Sequence, residues 1–381
     1  MDTKTYSISD ISASILSGGD AAKYDCLDSP TEEYNVPVFA NAVANKGLYG
    51  YTNKSVVDKE AVTIAARGAG VGFIAYRKAN FVPIVRLITI IPNEAYALAK
   101  FLYYYLSTQN IIGGGAAIPQ LTVPMVKKIK VQLPPVYYQR RIASILSAYD
   151  NLIENNNRRI RLLEQMAENL YKEWFVRFRF PGHEKAEFEN GLPKGWSLKN
   201  LFDVADVSYG YAFKSDLFCN DKNLNAVVRI RDIQDNHTDT YTSEVCDDKY
   251  LIEENAILVG MDGLFHMCLW NGEKAYLNQR VVKICSKKKD MCNYLIFMAI
   301  RPQIKFWEQV IAGTTVAHLG DKHLKKIKIA VPTEDLLLKA NESIQRIMVE
   351  KNQLFKQNQI LSRQRDLLLP RLMSGKLEVK V

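Results

Sequence analysis

The sequence predicts a mixed α/β (α+β) protein that contains two tandem copies of one unit, each ending in a long helix. Three observations predict this fold class: an internal repeat, a heptad pattern late in each copy, and short strand-like and helix-like runs early in it. The repeat is the clearest, because Lys127–Lys130 recurs as Lys325–Lys328 at an offset of 325 − 127 = 198 residues. This period is far above the roughly 20 to 50 residues of solenoid repeats, so each copy can hold its own core.

Each copy has a variable front segment and a fixed back segment. The offset of 198 residues holds through the back segment without a gap. In the front segment the match is looser, with Gly18 matching Gly210 and Arg67–Gly68 matching Asp262–Gly263 at offsets between 190 and 195. The predicted organisation is a first front over residues 1–136, a first long helix over 137–178, a linker over 179–195, a second front over 196–333, a second long helix over 334–370 and a tail over 371–381.

The heptad pattern predicts the long helix of each back segment. No proline or glycine occurs from Tyr138 to Phe175, and apolar residues alternate at steps of four and three, the spacing of a coiled-coil seam. The first seam consists of Ile142, Leu146, Tyr149, Ile153, Asn156, Ile160, Leu163, Ala167, Leu170 and Trp174. The second, more polar seam consists of Ala340, Ile344, Ile347, Lys351, Leu354, Asn358, Leu361, Arg365, Leu368 and Leu372.

The two helices are expected to pair along these seams. Asn156 and Asn358 occupy seam positions, where a polar residue fixes the register of a coiled coil at a cost in stability. Pro370 predicts that the second helix ends near Leu369, since proline is not accommodated in a helix interior. The alternative is that both are ordinary long core helices, and the matched register of two copies argues against it.

The front segments are predicted to combine short strands and helices. Apolar runs at Val82–Ile91, Ala226–Ile230 and Val281–Cys285 are typical of strands. Longer runs at Ala95–Ser107 and Met291–Gln309 are typical of helices.

Composition indicates a soluble globular protein. The 381 residues suggest two or three domains, and 48% hydrophobic with 24% charged residues is ordinary for such chains. No apolar run reaches the roughly 18 residues of a membrane span, and the start of the chain does not resemble a signal peptide, so we expect a cytoplasmic protein with no membrane partner. The six cysteines show no paired or zinc-binding spacing and are expected to be reduced thiols. The net charge of +9 fits a polyanionic partner.

Catalytic motifs are missing from the sequence. A DNA methyltransferase grips its target amino group with a loop such as N-P-P-Y, but the double proline Pro134–Pro135 follows Leu133, which cannot accept a hydrogen bond. The sequence contains neither a P-loop nor a G-x-G-x-x-G motif after a strand. Asp247, Asp248 and Lys249 lack the second acidic element that a nuclease metal site needs, and no metal site is predicted.

Basic, amide and aromatic residues cluster in turn-like segments of both fronts and are candidates for DNA contacts. Arginine and lysine pair with guanine edges or phosphates, and asparagine and glutamine pair with adenine edges. In the first front the candidates are Asn41, Asn45, Lys46, Tyr49, Tyr51, Lys54, Arg67, Arg77 and Lys78. In the second they are Tyr209, Tyr211, Lys214, Arg229, Arg231, Gln234, Asn278, Gln279 and Arg280. Taken singly, each is more often a solvated surface group or a local cap, so the clusters are better evidence than their members.

Several short motifs, in an order that occurs twice, resemble one known family along nearly the whole chain. The first long helix closes with Leu170, Tyr171, Trp174 and Phe175, and the second closes with Leu369, Pro370, Arg371, Leu372, Met373, Ser374, Gly375 and Lys376. The second copy opens with Leu192, Pro193, Gly195 and Trp196, and its front segment contains Gly210, Ala212, Phe213 and Ser215 and also Asn278 and Gln279. In these motifs the chain resembles the specificity subunits of type I restriction-modification enzymes.

This resemblance implies a DNA-binding role in host defence without catalysis. The two fronts would be target-recognition domains that each recognise one half of a bipartite site in double-stranded DNA, separated by an antiparallel coiled coil of the two helices. The chain itself would bind no cofactor. The modification (methyltransferase) subunits would bind S-adenosylmethionine. The restriction (translocase and nuclease) subunits would use ATP and Mg.

Within that assembly we expect Leu163, Leu170, Trp174 and Phe175 to contact the modification subunits, with burial in the seam or core as the alternative. Two other functions remain open from the sequence alone. One is a self-sufficient DNA-modifying enzyme or nuclease, and the other is a coiled-coil scaffold that binds protein.

Overall fold

The chain forms two compact units. The computed structural model describes residues 2–68, 70–111, 120–311, 317–377 and 379, so the last part of the expected tail lies mostly outside the described residues. Unit 1 consists of residues 1–155 and 357–381, and unit 2 consists of residues 156–356. Each unit therefore contains one front segment together with parts of both long helices.

The strands are mostly short and occur in the front segments, except Phe188–Glu189 and Leu192–Pro193, which lie in the predicted linker. In unit 1 they are β1 (Lys4–Ser7), β2 (Ser12–Ser17), β3 (Val36–Phe39), β4 (Leu48–Thr52), β5 (Ala61–Ile64), β6 (Ile74–Arg77), β7 (Val82–Pro83), β8 (Ile88–Pro92) and β9 (Lys130–Leu133). In unit 2 they are β10 (Phe188–Glu189), β11 (Leu192–Pro193), β12 (Ser197–Asn200), β13 (Ala205–Tyr209), β14 (Phe218–Cys219), β15 (Asn225–Val228), β16 (Tyr241–Thr242), β17 (Leu251–Ile252), β18 (Ile257–Gly260), β19 (Met267–Leu269), β20 (Ala275–Leu277), β21 (Val281–Ser286) and β22 (Lys328–Val331).

The α-helices include the two long ones that the heptads predict. They are α1 (Ala99–Ser107), α2 (Val123–Lys128), α3 (Val136–Tyr171), α4 (Leu201–Val204), α5 (Asn293–Ile311), α6 (Asp321–Leu324) and α7 (Glu334–Met373). After α3 the chain continues as one wide π-type turn over Lys172–Val176. No helix among the described residues is long and apolar enough to cross a membrane.

The internal repeat is a repeat of folds. Unit 1 contains a sheet with strand order β2-β8-β5-β6, and unit 2 contains a sheet of the same plan, β13-β21-β18-β19. In each unit, the first strand of the front pairs antiparallel with the strand that precedes the long helix, β1 with β9 and β12 with β22. A second sheet, β4-β3-β7 in unit 1 and β14-β16-β15-β20-β17 in unit 2, differs in size between the copies, which agrees with the looser sequence match of the fronts.

Each unit builds its core from its own sheet and from the long helices. In unit 1, Ile142 and Leu146 of α3 and Leu372 of α7 join the sheet residues of one buried cluster. In unit 2, Ala167 of α3 and Ile344 of α7 do the same. Burial of these aliphatic side chains stabilises the folded state by roughly 25 cal/mol per Å² of apolar surface. This packing joins the front segment of each unit to the helix segments of the same unit.

The long helices run antiparallel within each unit and use the predicted seams. In unit 1, Arg365 Nη1 lies 2.7 Å from Asp150 Oδ1. In unit 2, Lys351 Nζ lies 3.1 Å from Glu164 Oε1. All twenty predicted seam residues are buried or half-buried. The two predicted long helices are confirmed, and both predicted seams are buried or half-buried.

Two local predictions were wrong. The helix α7 does not end near Leu369 but continues through Pro370 to Met373. Leu372 is 1% exposed in the core of unit 1, so its burial offsets the one backbone hydrogen bond that Pro370 cannot donate so near the helix end. The run Val82–Ile91 is not one strand, because Val85 and Arg86 take positive φ values of 51° and 59° and form a turn between β7 and β8.

Candidate nucleic-acid interface

In unit 2, an exposed turn lies between β20 and β21 and packs against the end of β13. The Val281 N–H donates to Asn278 O at 2.9 Å, which closes the turn, and the Gln279 N–H donates to Tyr211 O at 2.9 Å. Gly210 permits this approach, since a Cβ atom at that position would lie 2.0 Å from Asn278 O. The result is a fixed turn that presents the exposed side chains of Gln279 and Arg280 to solvent.

Unit 1 has the same arrangement around its own glycine. A Cβ atom at Gly18 would lie 2.6 Å from Ile84 O. The Val85 N–H donates to Gly19 O at 2.8 Å, and the Leu87 N–H donates to Ile84 O at 3.1 Å. Val85 and Arg86 are exposed here as Gln279 and Arg280 are in unit 2. The sequence match between Gly18 and Gly210 therefore has a physical cause, the close passage of two backbone segments that excludes a side chain.

The turn of unit 2 carries an ion-pair cluster. The Arg280 guanidinium lies 3.4 Å from Asp262 Oδ2, and His318 Nδ1 lies 2.7 Å from Asp262 Oδ1. Asp262 is the least exposed member, with 25% of its side chain accessible against 58% for Arg280. The carboxylate thus fixes both neighbours from beneath while leaving their outer faces accessible.

Two candidates of unit 1 are engaged inside the fold. The Arg77 residue is 4% exposed, its Nε donates to Thr63 Oγ1 at 2.9 Å, and its Nη2 donates to the Lys46 carbonyl oxygen at 2.6 Å. Burial lowers the pKa of the Arg77 guanidinium to about 10. The Asn41 amide donates to Arg67 O at 2.7 Å and accepts from the Ala66 N–H. Arg77 and Asn41 therefore hold the loops of unit 1 in place and have little capacity left for DNA.

The other candidates of unit 1 lie at its surface. Tyr51 is half-buried, and its backbone pairs with that of Leu27. The exposed residues are Asn45, Lys46, Tyr49, Lys54, Arg67 and Lys78. Asn45 and Lys46 adopt positive φ values of 47° and 51°, so the loop that carries them is backbone-strained as well as basic.

In unit 2, some candidate side chains are half-buried and held by contacts, and the others are exposed. The Tyr209 hydroxyl donates to Asp321 Oδ1 at 2.8 Å, while its ring packs against the core. The Tyr211 hydroxyl donates to Glu244 Oε1 at 3.1 Å, and this hydrogen bond raises the pKa of the tyrosine. The Arg229 guanidinium lies 5.3 Å from the Phe218 ring centroid. Asn278 is half-buried in the turn, and the exposed candidates are Lys214, Arg231, Gln234, Gln279 and Arg280.

Three of the four residues expected to contact partner subunits pack within unit 2. Leu163 is 9% exposed in the seam, and Leu170 packs against the core of unit 2. Phe175 stacks on Tyr171 with ring centroids 5.0 Å apart. Trp174 is half-buried. This arrangement favours the alternative of a core role for Leu163, Leu170 and Phe175, and it leaves Trp174 as the best candidate for docking.

Sequence reasoning missed Arg86, Asp262 and His318. The signal for Arg86 was present, because Arg86–Leu87 matches Arg280–Val281 at an offset of 194 residues, within the range of the other front matches. Asp262 matches the candidate Arg67 in the same repeat, whereas His318 gave no signal, and only the fold brings Asp262 and His318 together. Within the described part of the chain, no group of three histidine, cysteine or acidic side chains is placed to hold a metal ion.

Known proteins share both the sequence pattern and the fold. The family model described as "Type I restriction modification DNA specificity domain" matches residues 1–165 and again residues 193–364. The MjaIX specificity subunit of Methanocaldococcus jannaschii is 25% identical, over 88% of this chain and 83% of its own length. The HindI specificity subunit of Haemophilus influenzae is 21% identical, over 99% of this chain and 100% of its own length.

A solved structure repeats the architecture. The specificity subunit of a type I restriction-modification system from M. genitalium superposes with a TM-score of 0.63 at 17% identity, over 98% of this chain and 96% of that chain. At this identity the likeness supports the fold, while the two family matches support the relationship. The chain belongs to the type I restriction-modification DNA specificity domain family.

Proposed function

We propose that this chain is the DNA specificity subunit of a type I restriction-modification complex. Unit 1 and unit 2 each recognise one half of a bipartite site, and the long helices set the number of unspecified base pairs between the halves. The chain performs no chemistry itself. Modification subunits methylate the DNA that it selects, and restriction subunits cleave unmodified DNA in the cytoplasm of the host.

The observation that carries this proposal is the double match of the specificity domain, once in each unit. Two domains with the same fold are suited to a bipartite DNA site, because each domain has its own exposed turn and its own basic surface residues. The differences between the copies suit two different half-sites. Arg280 and Gln279 in unit 2 stand where Arg86 and Val85 stand in unit 1, so the two units present different hydrogen-bonding groups.

The charge of the chain supports DNA as the ligand. A formal net charge of +9 gives long-range attraction to phosphates, which contributes affinity without sequence information. Side chains on fixed turns then supply base readout, because a side chain that extends from an ordered backbone turn loses less freedom on binding. Partner subunits supply S-adenosylmethionine, ATP and Mg, so this chain needs no cofactor of its own.

The proposal is tested by sequencing the methylated bases of the host genome with and without this gene. Loss of one bipartite methylated motif on deletion, and its return on complementation, is the expected result. An unchanged methylome in a strain that expresses the modification subunits would contradict the proposal and favour a protein-binding scaffold.

A second measurement separates the specificity subunit from a self-sufficient enzyme. Purified full-length chain is incubated with genomic DNA, S-adenosylmethionine and Mg, in the absence of any other protein. We expect DNA binding without methylation or cleavage. Robust turnover by the lone chain would refute the non-catalytic role.

A further inference from the structure

The arginines on the two equivalent turns have different surroundings. In unit 2, Arg280 is paired with Asp262, which in turn contacts His318. Each unit has an equivalent backbone hydrogen bond at this place. The Leu319 N–H donates to Met261 O at 2.7 Å in unit 2, and the Leu121 N–H donates to Ala66 O at 2.9 Å in unit 1. Unit 1 therefore has an equivalent for every member of the cluster.

The equivalent residues of unit 1 carry a different total charge from the Arg280–Asp262–His318 cluster of unit 2. Arg67 follows Ala66 as Asp262 follows Met261, and Gln120 precedes Leu121 as His318 precedes Leu319. With histidine counted as neutral, the unit 2 cluster has no net charge. Its unit 1 counterpart, with Arg67 and Arg86, carries a charge of two, and no ion pair of either arginine occurs among the described residues.

The backbone of the turn also differs. Val85 and Arg86 take positive φ values of 51° and 59°, whereas Gln279 and Arg280 do not. A β-branched residue at positive φ is strained, and such strain is concentrated at functional sites. The two turns therefore differ in backbone conformation at both of their exposed positions.

We propose that the arginines of the two units have different roles in DNA binding. Arg280, positioned by Asp262, contacts a base edge in the unit 2 half-site, whereas Arg67 and Arg86 bind phosphates next to the unit 1 half-site. This assignment rests on the proposed function. A carboxylate beside Arg280 repels phosphate and holds the guanidinium in one orientation, which suits bidentate pairing with guanine O6 and N7. Two arginines without a carboxylate between them suit the phosphate backbone, where charge matters more than geometry.

Substitution of arginine by lysine distinguishes the two roles, because lysine keeps the charge and loses the planar fork. Full-length wild-type chain is first used to select duplexes from a randomised library, which gives both half-sites. Affinity for the selected duplex and for single-base variants is then measured across a salt series. Arg280→Lys should lower discrimination at one base pair of one half-site by about tenfold or more, while the salt dependence stays unchanged. Arg86→Lys should leave both properties unchanged.

Removal of charge gives the opposite pattern. Arg86→Ala and Arg67→Ala should each make the negative slope of log K against log salt shallower by about 0.9, with both half-sites retained. Asp262→Asn should weaken base discrimination in the same half-site as Arg280→Lys and raise affinity for unrelated DNA, a gain that a purely structural role would not produce. Asp262→Glu should restore discrimination in part. The matched control is Asp239→Asn, which removes a carboxylate paired with His237 at 3.1 Å elsewhere in unit 2.

The outcomes separate this inference from the function on which it rests. If the wild-type chain selects two half-sites but Arg280→Lys discriminates as wild type does, or if Arg86→Lys loses a half-site, the division of roles is overturned. A wild-type chain that selects no bipartite sequence would overturn the proposed function, and this assignment with it.

Discussion

Lengthening the two long helices should widen the gap between the half-sites and leave the half-sites themselves unchanged. The perturbation is an insertion of four helix-forming residues after Asn155 in α3 together with four after Lys356 in α7. Both positions are the boundaries of the compact units, and both lie inside continuous helices. The insertion leaves the Asp150–Arg365 ion pair within unit 1 and the Glu164–Lys351 ion pair within unit 2.

The magnitude follows from helix geometry. Four residues add about 6 Å at about 1.5 Å per residue, which is a little under two steps of duplex DNA at about 3.4 Å each. The unspecified gap should therefore grow by about one or two base pairs. Four residues exceed one turn of about 3.6 residues by about 40° and form a stutter in the heptad pattern, so affinity should fall.

The assay is the methylated motif in cells that carry the insertion in place of the wild-type gene. A matched control inserts the same four residues between Asn190 and Gly191, in the turn that joins β10 to β11, where no long helix is lengthened. The control should keep the original gap. Altered bases in either half-site, or an unaltered gap with normal activity in the helix variant, would refute the reasoning.

Three further substitutions test individual contacts. Arg77→Met should destabilise unit 1 by roughly 1 to 3 kcal/mol, since the Arg77 guanidinium is buried and donates two hydrogen bonds, and hydrogen exchange of unit 1 should accelerate while that of unit 2 does not. Gly18→Ala should disrupt the unit 1 turn and weaken methylation of sites that carry the unit 1 half-site, whereas Gly19→Ala, with nothing within 4 Å of its Cβ atom, should have no effect on the methylated motif. Phe175→Ala should lower the melting temperature because its ring stacks on a neighbour, whereas Trp174→Ala should weaken co-purification of the modification subunits at an unchanged melting temperature. Full assembly by the Trp174 variant would leave that side chain with a packing role alone.

The long helices and their seams could be predicted because periodicity is a local property of the sequence. An apolar residue every three or four positions fixes which face of a helix is buried, whatever the partner is. The end of α7 could not be predicted in the same way. Pro370 disfavours helix, but burial of Leu372 in the core of unit 1 is a tertiary contact that no local rule contains.

The candidate site was predictable as a region more than as a set of residues. The sequence places basic and amide residues in turns, yet their chemistry depends on neighbours that are distant in sequence. Arg77 and Arg86 illustrate this, since one is buried under Lys46 and the other is exposed on a strained turn. The internal repeat could have identified Arg86, because it matches Arg280. The carboxylate of Asp262 becomes relevant only when the sheet places it beside Arg280.

The central claim is that each unit independently reads one half of the target, and a chimera tests it most directly. Residues 197–331 are replaced by a second copy of residues 4–133, because β12 and β22 pair at the same ends of the front as β1 and β9 do. The methylated motif of cells that carry the chimera should contain the unit 1 half-site twice, and the other half-site should disappear. Retention of the unit 2 half-site, or methylation by an assembled chimera at sites without the unit 1 half-site, would contradict the account.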